Sequence, residues 1–175
     1  MILKDSNLVL RAIEEKDAKV LMDLINDPEI ENSVFGWSYP VSLLAQKKWI
    51  MNLSNDSSVR YAITYEKQMV GVAIISSIDM KNRIANMNIK LLKSFRGKGI
   101  AIRSLKLIIN YCFEELNLHC LTANVIENND KSRKLWIKLG FQQEGILRDR
   151  VYKNGKYHNA IAYSLLKEEY YERNR

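Results

Sequence analysis

The sequence has little that would cross-link it, divide it or carry it into a membrane. Its two cysteines, Cys112 and Cys120, lie inside apolar segments at no spacing that suits a metal, so neither a disulfide framework nor a zinc site organises the chain. Two reduced, buried thiols and no metal are expected. No run of eighteen or more apolar residues occurs, which excludes a membrane-spanning helix, and Lys4 and Asp5 arrive too early for the apolar centre of a signal peptide. A soluble, cytoplasmic protein is expected. No repeat, linker or low-complexity segment interrupts the 175 residues, a length that suits one domain, 1–175, with a real core. The net charge of +7 is moderate and the cations are scattered, but Lys90, Lys93, Arg96, Lys98 and Arg103 crowd around a glycine loop. Aromatic residues do not interleave with them, so the pattern suits a small anionic ligand rather than a nucleic acid.

What is present alternates between strand and helix periods. Residues 8–13 (LVLRAI) read as a strand, and residues 17–25 carry apolar side chains at helical spacing until Asn26-Asp27-Pro28 stops them. An irregular, aromatic-rich segment runs to Pro40. Ser42 then caps a helix over about 43–53. Residues 60–65, 69–78 and 83–92 read as three successive strands; in the third, Ala85, Met87, Ile89 and Leu91 alternate with Asn86, Asn88 and Lys90, which predicts one buried and one polar face. Beyond the glycine loop, Ala101, Leu105, Ile108, Cys112 and Leu116 form a helical stripe that packs on a sheet. Residues 120–126 predict a strand and 131–139 a helix ended by Gly140. Residues 141–166 predict two strands joined by a type I′ turn at Asn154-Gly155.

The loop Arg96-Gly97-Lys98-Gly99 stands immediately before the long helix. A helix that begins on glycines offers backbone N–H groups and a partial positive charge to an anion, and glycine lets that anion approach closely. The same glycines also suit a plain strand-to-helix turn, and the loop alone leaves both readings open. Two nucleotide motifs are excluded. Gly99 is followed by Ile100, not the Lys-Ser/Thr of a P-loop, and Ile102 stands where a dinucleotide fingerprint needs its third glycine.

Arg96-Gly97-Lys98-Gly99-Ile100-Ala101 resembles the coenzyme motif Gln/Arg-x-x-Gly-x-Gly/Ala of the GNAT N-acetyltransferases. "ENNDKSRKLWIKLGF" is similar to the family's second coenzyme segment. "GFQQEGILRDRVYKNGKYHNAIAYSLLKEEY" looks like the C-terminal part of the branch that holds ribosomal-protein N-terminal and spermidine acetyltransferases. The resemblance runs from Leu8 to Tyr170. It implies an α/β (α+β) GNAT fold: a mixed, mostly antiparallel sheet of six to seven strands flanked by about four helices. It also implies acetyl-CoA as cosubstrate, with the pyrophosphate on the amides of Arg96 through Ala101 (Lys98 among them), charge from Arg96, Lys98 and Arg103, the pantetheine along Ile89 and Leu91, and contacts from Asn129 and Ser132.

In such a reaction an amine attacks the thioester, an oxyanion forms and a thiolate leaves. The resemblance places the oxyanion on a backbone N–H near Leu91 or Leu92. Where many members carry a tyrosine acid, this chain has Trp136, whose indole is no usable acid. Ser132, one turn earlier, is the substitute candidate; its alternative role is to cap its helix, with Trp136 filling the core. Glu29, Glu31 and Glu144 are base candidates, and His158, beside Tyr157 on the last strand, is a further one, although a lone histidine more often packs or hydrogen-bonds. Glu29, Glu31, Phe35, Trp37 and Tyr39, with Trp49 behind them, would wall the acceptor site. The expected acceptor is a protein or peptide N-terminal amine, then a polyamine, then an amino sugar, with a non-catalytic coenzyme-binding module as the competing class. A homodimer through the C-terminal hairpin edge is plausible on the same reading.

Overall fold

The computed structural model describes residues 1–36 and 39–173. In chain order the strands are β1 (Leu3–Asp5), β2 (Leu8–Arg11), β3 (Ser58–Tyr65), β4 (Gln68–Asp79), β5 (Ile84–Leu91), β6 (Cys120–Ile126), β7 (Gln142–Lys153) and β8 (Lys156–Leu166). The helices are α1 (Ala18–Ile25), α2 (Pro28–Glu31), α3 (Leu43–Met51), α4 (Ile100–Glu114), α5 (Asp130–Lys138) and α6 (Lys167–Arg173). The strands form one sheet in the order β1-β2-β3-β4-β5-β6-β8-β7, antiparallel except for β5 beside β6. The sheet is mixed and mostly antiparallel, as expected, but has eight strands where six to seven were expected.

The added strand is β1, which pairs with β2 across a turn at Ser6 (φ 51°). Arg103 of α4 holds this hairpin: Nε donates to Asp5 Oδ2 at 2.7 Å and a terminal N–H to the Asp5 carbonyl at 2.8 Å. The four expected helices are present. Two more, α2 and α6, join them. At α2, Pro28 begins a helix rather than ending one. The Asp27 side chain accepts from the Glu29 N–H at 2.8 Å, and proline tolerates the first helical position because no intrahelical N–H bond is lost there.

Two cores lie on the two faces of the sheet. On one, Ile100, Leu105, Ile108, Ile109, Cys112 and Phe113 of α4 bury against Leu8, Leu10, Ile63, Ala73, Ile75, Ala85 and Met87. Each such Leu or Ile contributes roughly 1.5–3 kcal/mol by leaving water. On the other face, Leu21, Leu24 and Ile30 of α1 and α2 cover Ala62 and Val72, with Leu92 packed against them. Both cysteines are buried and free, and burial pushes the Cys112 thiol up to about 12. Asn154 and Gly155 both have positive φ, as the type I′ turn requires. No helix among the described residues is long and apolar enough to cross a membrane.

The sheet comes apart at its centre. β5 follows β4 along its full length, yet pairs with β6 only at Ile84–Cys120, Ala85–Leu121 and Asn86–Thr122. Beyond Asn86 the two strands diverge, leaving one side of β5 without a neighbour.

Candidate active site

The divergence opens a cleft of about 610 Å³ between β5 and β6, floored by α4 and α5 and walled by the segment around α2. Hydrogen-bonding direction alternates along a strand, and the Leu92 N–H donates to the Val70 carbonyl of β4 at 2.9 Å. Leu91, Ile89 and Met87 therefore turn their backbone groups the other way, into the gap. Of the two oxyanion candidates, the Leu92 amide is already used inside the sheet, while the Leu91 amide faces the cleft.

The glycine loop forms the cleft's lower rim. Gly97 (φ 78°) and Gly99 (φ 76°) both lie in the left-handed region, and Gly99 is the N-terminal cap of α4 without a capping side chain. A Cβ placed at either would meet no atom within 4 Å. Glycine is thus required here by backbone conformation and not by protein packing, and the amides that open α4 face free space. Gly97, Gly99, Ile100 and Ala101 all line the cleft. The Lys98 side chain does not; its ammonium sits 5.0 Å over the Phe95 ring.

The cations expected on the pyrophosphate are used elsewhere. Arg96 donates through Nε to the Leu91 carbonyl at 3.0 Å and pairs with Asp27 Oδ2 at 3.1 Å and Glu29 Oε1 at 3.0 Å. It is a clamp between the end of β5 and α2. Arg103 is taken by the Asp5 hairpin. Arg96 still lines the cleft, and further positive charge there comes from Lys90 and from Lys131, Lys134 and Lys138, the last three at helical spacing on α5, which composition did not single out.

At the start of α5 the Asn129 side chain accepts from the Ser132 N–H at 3.1 Å and donates to the Ser33 carbonyl at 3.1 Å. Asn129, and not Ser132, is therefore the cap, and it also ties α5 to the loop after α2. The Ser132 hydroxyl lines the cleft with no hydrogen-bond partner among the described residues. Trp136 is 3% exposed and packs on Phe141, ring centroids 4.9 Å apart, while one edge reaches the cleft. It fills core, as its chemistry requires.

The acceptor-side candidates divide. Glu29, Ile30, Ser33, Val34 and Phe35 line the cleft. Glu29 also pairs with Lys93 at 3.2 Å; the Lys93 hydrogen bond and then the Arg96 charge hold its carboxyl below the usual range, which makes it a weak base. Glu31 is ion-paired with Lys153, which is only 6% exposed, and so joins α2 to the β7–β8 hairpin. Tyr39 is 73% exposed and does not line the cleft, nor does Trp49, which carries the Arg60 guanidinium 5.6 Å over its ring. Trp37 lies outside the described residues. Glu144 lies beside Cys120, at the opposite end of β6. His158 is buried 3.8 Å from Glu127 and is not part of the lining. Residues the sequence reading did not assign include Asn88 and Lys90, on the polar face that the alternation in β5 had marked, and Asn124 of β6.

Known proteins match this chain over nearly its whole length. The family model for the acetyltransferase (GNAT) domain matches residues 7–142. The chain belongs to the GNAT acetyltransferase family. Among similar GNAT proteins, the putative ribosomal N-acetyltransferase YdaF of Bacillus subtilis is 30% identical over 95% of this chain and 94% of that protein. The spermidine N(1)-acetyltransferase of Escherichia coli is 28% identical over 92% of this chain and 87% of that one. A crystal structure of the spermidine N-acetyltransferase of Vibrio cholerae, in complex with CoA and spermine, superposes with a TM-score of 0.87 at 26% identity, covering 95% of this chain and 99% of that one. This GNAT chain is thus an acetyl-CoA-dependent N-acetyltransferase.

Proposed function

We propose that the chain acetylates the α-amino group of a protein or peptide N-terminus by direct attack on acetyl-CoA in a ternary complex. The observation that carries this reading is the state of the acceptor-side carboxylates. Asp27 and Glu29 are held by Arg96, and Glu31 by Lys153, so these three are neutralised by the protein's own cations. A polyamine needs anionic charge left over for its second and third ammonium groups. An α-amine does not. It also has less need of a base: with a pKa of about 7.7–8.0, its deprotonation at pH 7 costs roughly 1 kcal/mol, against nearly 5 for an alkylamine near 10.4.

On this reading the amides of Gly97, Gly99, Ile100 and Ala101 hold the pyrophosphate, with Lys131, Lys134 and Lys138 supplying charge, and the free edge at Met87, Ile89 and Leu91 receives the pantetheine. The Leu91 N–H stabilises the oxyanion, and the Ser132 hydroxyl hydrogen-bonds the departing thiolate. Because a thiolate leaves with little help, Ser132→Ala should lower kcat by about 10²-fold, the low end of general-acid effects, with CoA affinity kept.

The test is thiol release from acetyl-CoA with three acceptor classes: short peptides with free N-termini, spermidine and an amino sugar. Peptides should give the highest kcat/KM. Faster turnover of spermidine or the amino sugar would overturn the reading. β7 is an open sheet edge with Ile146 and Tyr152 exposed, and we infer that two copies pair there; sedimentation at micromolar concentration should find a dimer that a charge at Ile146 dissociates.

A further inference from the structure

Lys90 occupies a place that neither the coenzyme nor the fold explains. It lines the cleft from β5. Its cross-strand partner Val72 and its neighbour Leu92 both belong to the core under α1 and α2, so its side chain is on the acceptor face, opposite α4. Trp136 of α5 and Ile100, next to the glycine loop, belong to the α4 core on the other side.

Among the described residues the Lys90 ammonium has no ion pair and no hydrogen bond, although the residue is partly buried. Its polar neighbours on that face satisfy one another. Asn88 donates to Asn86 at 2.9 Å, Asn86 to Thr122 at 3.2 Å, and Thr122 to the Ala85 carbonyl at 3.3 Å. Among the described residues that line the cleft, the one carboxylate, Glu29, already holds Arg96 and Lys93. Burial alone pushes the Lys90 ammonium below its ordinary range, the mark of a charge without a counter-ion. A half-desolvated cation in a ligand cleft is costly unless the ligand supplies the anion.

We infer that the acceptor supplies it: the substrate is a primary amine that carries a carboxylate or phosphate within a few bonds of the nucleophilic nitrogen, and Lys90 is the residue that selects it. For a peptide, this means an acidic or phosphorylated residue directly after the N-terminal one. The inference rests on the acetyl-transfer reading and narrows it. It also deepens the contrast with polyamines, whose charge Lys90 repels.

The experiment measures kcat and KM with four peptides that differ only in their second residue, alanine, lysine, aspartate or phosphoserine, for the wild-type protein and for Lys90→Gln and Lys90→Glu. Calorimetric titration with CoA and a thermal melt accompany each variant. The wild type should show KM at least about 10-fold lower for an anionic second residue than for alanine, the usual scale of one charge-assisted contact. Whether aspartate or phosphoserine is better separates the two anion sources. Lys90→Gln should abolish the difference through KM with kcat within about twofold, and Lys90→Glu should invert it towards lysine. Equal KM for aspartate and alanine in the wild type would overturn the inference, as would a Lys90→Gln effect confined to kcat and equal for all peptides. Lost CoA affinity in a folded Lys90→Gln protein would assign the lysine to the coenzyme and also overturn it. If CoA binds but neither peptides, spermidine nor an amino sugar releases thiol, the acetyl-transfer reading itself fails and takes the inference with it.

Discussion

The two halves of the cleft are built by different means. The half proposed for the coenzyme is mainly backbone: two left-handed glycines, the open amides of α4 and one free side of β5. The half proposed for the acceptor is side chain: Arg96 on Asp27 and Glu29, Lys153 on Glu31, Asn129 on the Ser33 carbonyl. Backbone recognition needs particular residue types in a short run, so it leaves a local motif. Side-chain recognition joins positions 69, 122 and 96 residues apart, and its chemistry is visible only when the chain is folded. The difference teaches which half can diverge. A change of acceptor needs only new pairings among side chains, whereas a change in the glycine loop alters the conformation of the chain itself.

The sharpest break in this comparison is Gly99→Glu. A carboxylate beside the pyrophosphate, roughly 6 Å away at an effective dielectric of about 20, opposes binding by nearly 3 kcal/mol, or about 100-fold in CoA affinity by calorimetry. Gly99→Ala separates the two ingredients. No atom lies within 4 Å of the added methyl, so it should cost only the roughly 1–2 kcal/mol of a left-handed non-glycine residue, read as a lower melting temperature.

Arg96→Ala comes next, and it distinguishes the halves directly. If the guanidinium served the pyrophosphate, CoA affinity would fall. With Arg96 clamping Leu91 to Asp27 and Glu29, CoA affinity should stay within about twofold, while the acceptor KM rises roughly 10-fold. The loss of charged hydrogen bonds on a half-buried group, on the order of 2 kcal/mol, should lower Tm by about 5 °C.

That same arginine shows where sequence reading stops. The motif position was legible, and so were the α4 stripe, the alternation of β5 and the Asn154-Gly155 turn, because each is a periodicity or a local conformational demand. The role of Arg96 was not, since its partners lie far upstream in α2, itself hidden behind a proline that normally signals a stop. The choice between Leu91 and Leu92 has a similar cause. The two amides are adjacent at the end of β5, and only the bond from Leu92 to Val70 decides which of them faces the gap. Asn129 took the capping role considered for Ser132 because an asparagine three residues before an N–H caps it as readily as serine does.

The smallest expected effect is that of acid on the acceptor half. Lys93 and then Arg96 depress the Glu29 carboxyl in the folded protein. A group whose folded pKa is lowered contributes stability that is fully present above its unfolded value, near 4.3, and is lost as the pH falls through its folded value. Segment 26–35 should therefore resist limited proteolysis by an acid-active protease equally at pH 6 and pH 5, and begin to open only below about pH 4. Glu29 is exposed, so the change should be local opening rather than global unfolding. The start of α4 holds its shape through the dihedrals of Gly97 and Gly99 and has no carboxylate in its first turn, so cleavage near residues 97–103 should not follow the same pH course. Equal acid sensitivity at both places would mean that the two halves open as one unit, and that the clamp through Arg96 couples α2 to the glycine loop instead of serving the acceptor wall alone.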